Sequence, residues 1–156
     1  MISLQEKKPS VTSSAAAIRN RTAVNDSIAS YADRDFAGAV AMYSDDAEVS
    51  DPTGNYVGKV EILSQLKSWK SAFPDAKSVV TNQITDGDRV ATAFTFRGTH
   101  TGPLAGSMGT IPATGKHVEI EMELVNWFRG GKVYRALESY DLVGLMDQLG
   151  VGRPRH

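Results

Sequence analysis

One stretch limits the possible folds more than any other. From His117 to Arg129 the side chains alternate without a break. Val118, Ile120, Met122, Leu124, Asn126 and Phe128 fall on one face, and Glu119, Glu121 and Glu123 on the other. A period of two over 13 residues is a long strand with one face in a core and one in water. Arg89 to Arg97 repeats the pattern with Val90, Thr92, Phe94 and Phe96, and Lys132 to Asp141 supplies a third run. Asp86-Gly87 and Gly130-Gly131 separate these runs as hairpin turns. Val79 opens the strand before the first turn.

The first half of the chain has a different period. Ala17, Val24, Ile28 and Tyr31 share one helical face from about Ser13 onward, interrupted only by Arg21. A short helix follows Asp35 with Phe36, Val40 and Tyr43. Ala47 to Asp51 reads as a short strand stopped by Pro52, with a return strand around Tyr56-Val57. Ile62, Leu66, Trp69 and Phe73 make one stripe of a helix over roughly 59–72, which Pro74 ends. Leu142, Leu145, Met146 and Leu149 form a last short helix closed by Gly150. Helices first and strands last mean α+β, with helices packed on the concave face of a curved antiparallel sheet. The open end of such a cone is a pocket. Residues 13–150 form one domain, with flexible ends expected at 1–12 and 151–156.

Composition narrows the chemistry. Lys and Arg number 17 against 18 Asp and Glu, so neither nucleic acid nor an anionic membrane is the expected partner. With no Cys there is no disulfide frame and no thiolate nucleophile. The absence of Cys and of a secretory signal fits the cytoplasm. No run approaches the ~20 apolar residues of a membrane span. Phosphate loops, nucleophile elbows and zinc motifs are missing, and His100, His117 and His156 lack ligand spacing. No metal and no cofactor are expected.

The remaining chemistry falls to carboxylates, amides, imidazole and phenols. On the last strand, Tyr134, Ala136, Glu138 and Tyr140 are assigned to the inner face, and Val133, Arg135, Leu137 and Ser139 to the outer. An inward Glu138 would lose hydration, and its pKa would rise into the range of a general acid or base. The alternative is an outward Glu138 paired with Arg135. Asn126 either donates to a ligand carbonyl or satisfies a backbone group. His100 is an acid/base candidate or an ordinary structural residue. Asp51 is a second carboxylate or a turn acceptor. Trp69, Phe94, Phe96 and Met122 are core residues of which a few are expected to line the cavity. Gly98 to Gly115, with five Gly, two Pro and no charged residue, is expected to be a lid over the pocket, the alternative being a mobile hairpin connection with no role. Trp127, Val125 and Leu137 on the outer face make a dimer surface.

Several motifs then occur in order. They are Asp51-Pro52-Thr53-Gly54, Ala72-Phe73-Pro74-Asp75, Asp86-Gly87-Asp88-Arg89-Val90-Ala91 and Arg97-Gly98-Thr99-His100-Thr101-Gly102-Pro103-Leu104. Pro112-Ala113-Thr114-Gly115-Lys116-His117-Val118, Gly131-Lys132-Val133 and Tyr140 through Gly150 complete the set. Together they resemble the SnoaL-like polyketide cyclase family of the nuclear transport factor 2-like superfamily, from about Val24 to Gly150. The resemblance implies a cystatin-like α+β cone, a homodimer, and cofactor-free ring closure of a small aromatic, polyketide-like substrate by an intramolecular aldol step. It also implies a catalytic carboxylate in a last-strand motif like Glu-His-Trp-Asp. Here that motif aligns with Arg135-Ala136-Leu137-Glu138, placing Glu138 at the acid/base position with Ala136 where the family has His. Asn126 and His100 are its expected hydrogen-bond donors, and Asp51, Trp69, Phe94, Met122, Asn126 and Tyr140 its substrate contacts. The branch also holds cofactor-free hydroxylases, isomerases and non-catalytic members.

Overall fold

The computed structural model describes residues 13–106 and 109–152. Helix α1 (Ser13–Ala32) leads into α2 (Phe36–Val40) through Arg34, a non-glycine residue in the left-handed region at φ 61°. Asp35 caps α2, its carboxylate accepting from the Gly38 N–H at 3.0 Å. Strands β1 (Tyr43–Asp51) and β2 (Gly54–Val57) form a hairpin, and α3 (Gly58–Ala72) follows. Tyr43, expected on the second helix, instead opens β1, because α2 closes after a single turn.

Strands β3 (Lys77–Asp86), β4 (Arg89–Thr99), β7 (His117–Arg129) and β8 (Lys132–Tyr140) supply the rest of the main sheet. Its order is β2-β1-β8-β7-β4-β3. The pairs are antiparallel except β1 with β8, which is parallel, so the sheet is mixed. It is unclosed, since β2 and β3 remain edges. Three register shifts, between Tyr43 and Glu48, Val80 and Asn82, and Trp127 and Phe128, bend it. The apolar positions of β7 are buried in strict alternation, as their period requires.

The bulge at Trp127/Phe128 corrects one assignment. Phe128 pairs with Val133 and Trp127 with Arg135, which leaves Tyr134 as the extra residue. Val133 is therefore inside (0% exposed), and Tyr134 lies outside under the Arg129 guanidinium, 4.1 Å from its ring centroid. Beyond the bulge the alternation resumes, and Ala136, Glu138 and Tyr140 share the inner face, as assigned.

The stretch 98–115 forms a small hairpin of β5 (Leu104–Gly106) and β6 (Gly109–Ile111). The Thr101 and Gly102 N–H groups donate to the Ala72 carbonyl at 3.1 and 3.2 Å, and Leu104 is buried. The hairpin is thus docked on the end of α3. None of its described residues lines the cavity, contrary to the lid expected there.

Helix α4 (Leu142–Leu149) is capped by Asp141 and closed by Gly150 at φ 73°. Its Gln148 amide accepts from Glu119 N–H and donates to Glu119 C=O at 2.8 and 2.9 Å, covering the edge of β7 beyond the end of β8. No helix among the described residues is long and apolar enough to cross a membrane. The flexible ends expected at 1–12 and 151–156 lie outside the described residues, apart from Val151 and Gly152.

Candidate functional site

Between the helices and the concave sheet is a cavity of ≈ 960 Å³, its open mouth included. A cleft lined mainly by apolar side chains, with a few polar groups among them, is the usual form of a small-molecule site. Most of its wall is apolar: Ile62, Leu66 and Trp69 from α3, Phe94 and Phe96 from β4, Met122 and Leu124 from β7. Trp69 is fixed by edge-to-face contacts with Phe96 and Tyr140, at 5.5 and 5.6 Å between centroids.

Glu138 projects into this wall from β8, opposite Leu124 of β7. It makes no hydrogen bond or ion pair among the described residues. Burial, and then the charge of Asp51, raise its pKa from 4.5 to about 7. Loss of hydration penalises the carboxylate, and a neighbouring anion penalises it further. At neutral pH the group is therefore divided between acid and base.

Asp51 reaches the cavity from the end of β1. Val49 and Ser50 pair with Ala136 and Leu137, which sets Asp51 beside Glu138 on the same face. Its Oδ1 accepts from Thr53 N–H (2.7 Å), Thr53 Oγ1 (2.6 Å) and Gly54 N–H (3.1 Å). Its Oδ2 accepts from Gln65 Nε2 at 3.1 Å. Tyr56 Oη joins the set through Thr53 Oγ1 at 2.7 Å. Asp51 is thus both the turn acceptor and the second cavity carboxylate foreseen as alternatives.

Of the eight residues named from the sequence, Glu138, Asp51, Trp69, Phe94 and Met122 come together on the cavity wall. His100, Asn126 and Tyr140 do not line it. His100 is fully buried (0% exposed) against Phe73, at 5.4 Å between ring centroids. Its Nδ1 accepts from Thr114 N–H at 3.2 Å and lies 3.0 Å from Thr114 Oγ1. Burial lowers its pKa, and the ring holds the segment that leads from β6 to β7. The acid/base role expected of it has no cavity contact behind it. Asn126 is also fully buried, one register step deeper than Leu124, with neither amide atom partnered among the described residues. Tyr140 stands behind Trp69 with its hydroxyl buried and unpartnered among the described residues.

Six polar lining residues are not among the candidates read from the sequence: Ser27, Tyr31, Tyr43, Tyr56, Gln65 and Ser78. Tyr31 and Tyr43 fall on apolar helical stripes in the sequence and so read as core residues. Gln65 carried a usable signal. It sits three residues after Ile62 and four before Trp69, on the buried stripe of α3. Burial first, and then the Glu138 charge, raise the Tyr31 and Tyr43 phenols above the ordinary tyrosine range. Among the described residues no cluster of His, Asp and Glu could hold a metal ion.

A curved sheet wrapped around helices is the fold this chain shares with solved nuclear transport factor 2-like structures. One solved structure of that fold, an NTF2-like protein of unknown function from Burkholderia pseudomallei, matches with a TM-score of 0.71 and 16% identity, covering 84% of this chain and 97% of that one. The chain belongs to the SnoaL-like polyketide cyclase family, whose model matches residues 21–149. TsrD from Streptomyces laurentii matches with a TM-score of 0.75 and 21% identity over 86% of this chain and 96% of its own. TerC, crystallised with polyporic acid, matches with a TM-score of 0.69 and 20% identity over 85% and 98%. No curated protein matches the sequence.

Proposed function

We propose that the protein is a cofactor-independent enzyme that moves protons on a small aromatic, polyketide-like ligand, with Glu138 as the acid/base group. The observation that carries this reading is the unpartnered Glu138 carboxyl in an apolar wall, with a pKa near neutrality. A carboxyl paired for structural reasons would have a cation or N–H donors around it. TerC's co-crystallised polyporic acid supports a ligand of this kind.

The reaction is an intramolecular aldol closure. Glu138 takes a proton from the carbon beside a ligand carbonyl. The resulting enolate carbon bonds to a second carbonyl carbon of the same molecule, and that oxygen becomes an alkoxide. Glu138 returns the proton to the alkoxide, so no atom is gained or lost. A carboxyl with pKa near the working pH suits both directions of transfer. Asp51 has no proton-transfer role in this reading, since its oxygens are engaged by four donors. His100 and Asn126 have no part in this reading.

The test is deuterium exchange from D2O into the methyl group of 2-acetylnaphthalene, followed by mass spectrometry. Wild-type protein is expected to accelerate exchange, and Glu138→Gln to lose about a hundredfold or more of that rate. Affinity for 2-acetylnaphthalene, read by Trp fluorescence, is expected to stay within a few-fold. Unchanged exchange in Glu138→Gln ends the catalytic reading and leaves a ligand-binding protein. A cytoplasmic location and a homodimer through the outer sheet face complete the proposal. They rest on the lack of Cys and on Leu137, Val125 and Trp127 beside one another on that face.

A further inference from the structure

The polar part of the cavity wall divides in two. Around Asp51 the donors and acceptors satisfy one another: Thr53, Gly54, Gln65 and Tyr56 are all engaged. Around Glu138 they do not. Tyr31 and Tyr43 line the same cavity as Glu138, whose charge acts on both phenols, and their hydroxyls make no hydrogen bond among the described residues. A phenol that faces a cavity without a partner is free to donate to a ligand.

Behind Tyr31 is a cation that the proton-transfer reading leaves unused. Lys70 is 3% exposed, an unusual burial for lysine. Its Nζ stands 4.9 Å from the centroid of the Tyr31 ring and 3.4 Å from the Ala32 carbonyl oxygen at the end of α1. No carboxylate pairs with it among the described residues. An ammonium over the face of a phenol draws electron density from the ring. The hydroxyl of such a ring becomes a stronger donor, above all to an oxygen gaining negative charge. The lining residues themselves include no Lys, Arg or His, so positive charge reaches this end of the cavity from behind Tyr31, where Lys70 lies over the ring and the Arg34 charge also acts on the phenol.

We propose that Tyr31 and Tyr43 form a donor pair that receives the ligand's carbonyl oxygen beside Glu138, with Lys70 as a positioning and polarising residue behind Tyr31. The ligand class follows. It is a ketone or phenol whose oxygen carries charge as an enolate or phenolate, seated at the Glu138 end and not against Asp51. This rests on the cavity being a small-molecule site, and it deepens that reading by assigning the oxygen's partners. During aldol closure the pair would hold the enolate oxygen while Glu138 carries the proton. Donors fixed in advance at the point where charge develops are an effective way to lower such a barrier.

The test is direct binding of 2-naphthol and the more acidic 6-cyano-2-naphthol to the full chain at pH 6, followed by absorption spectra that separate neutral from ionised naphthol. The cyano compound is expected to bind wild type about tenfold tighter, as charge-assisted donors require. Tyr31→Phe and Tyr43→Phe are each expected to remove most of that ratio while the melting temperature holds. Lys70→Met is expected to lower the ratio and Lys70→Arg to keep it; a purely structural Lys70 would shift melting and leave the ratio alone. Equal affinities for wild type, no binding of either naphthol, or Phe variants that keep the ratio would overturn the proposal. Glu138→Gln separates it from the proton-transfer reading. Exchange lost in that variant with the ratio kept supports the donor pair, and exchange lost there with no ratio in wild type overturns the pair alone.

Discussion

Glu138 has a consequence for stability as well as for chemistry. Its pKa is higher in the folded chain, about 7, than the 4.5 of a solvated carboxyl. Folding therefore favours the protonated form. That contribution is complete below about pH 4.5 and is lost as pH rises through about 7, by about 3 kcal/mol in all. Glu138→Gln cannot ionise, so its thermal stability relative to wild type is expected to be near parity at pH 4 and clearly higher at pH 8. Melts at the two pH values check this; a constant difference would mean that Glu138 meets water freely. Asp51→Asn keeps an oxygen for Thr53 and Gly54 but removes the neighbouring charge. The Glu138 midpoint is expected to fall below about 7 in that variant, as read by carboxyl-carbon NMR. Alternation was enough to put Glu138 inside. Tyr134 was misplaced by the same rule because a bulge adds one residue and shifts the phase of what precedes it. Nothing in the local sequence announces that bulge.

Among the elements, the long strands and α3 were legible because each keeps its own period over ten residues or more. The ends of α2 and the role of 98–115 were not. That segment has the composition of a mobile cover, yet its N–H groups bind the end of α3 and His100 fastens its return. Gly102 shows why it docks. A Cβ there would collide with the Ser71 carbonyl oxygen, which is backbone and unable to give way. Gly102→Ala is expected to cost about 2 kcal/mol through forced displacement of the hairpin, measurable by urea denaturation. A variant as stable as wild type would mean the hairpin is only loosely attached. His100 was misassigned for a related reason. A histidine in a loop looks available until its contacts with Phe73 and Thr114 are known.

For the whole molecule, the outer sheet face remains exposed in the single chain. Leu137 is 39% exposed there, and Arg135 covers the Trp127 ring at 5.0 Å. Light scattering is expected to return twice the mass of one chain, and Leu137→Glu to shift the population toward one. A wild-type mass equal to one chain would rule the dimer out. By itself the sequence determined the fold class, the order of helices and strands, and the family, since these follow from periodicity, turn residues and motif order along the chain. It also marked one carboxylate out of many by strand phase. Only the tertiary structure decided which polar groups keep free atoms in the cavity. Asp51 and Glu138 both face inward, yet one is engaged by Thr53, Gly54 and Gln65 and the other is left open. Hydrogen-bond satisfaction depends on how α1, α3, β1 and β8 meet in space, and no spacing along the chain encodes that meeting.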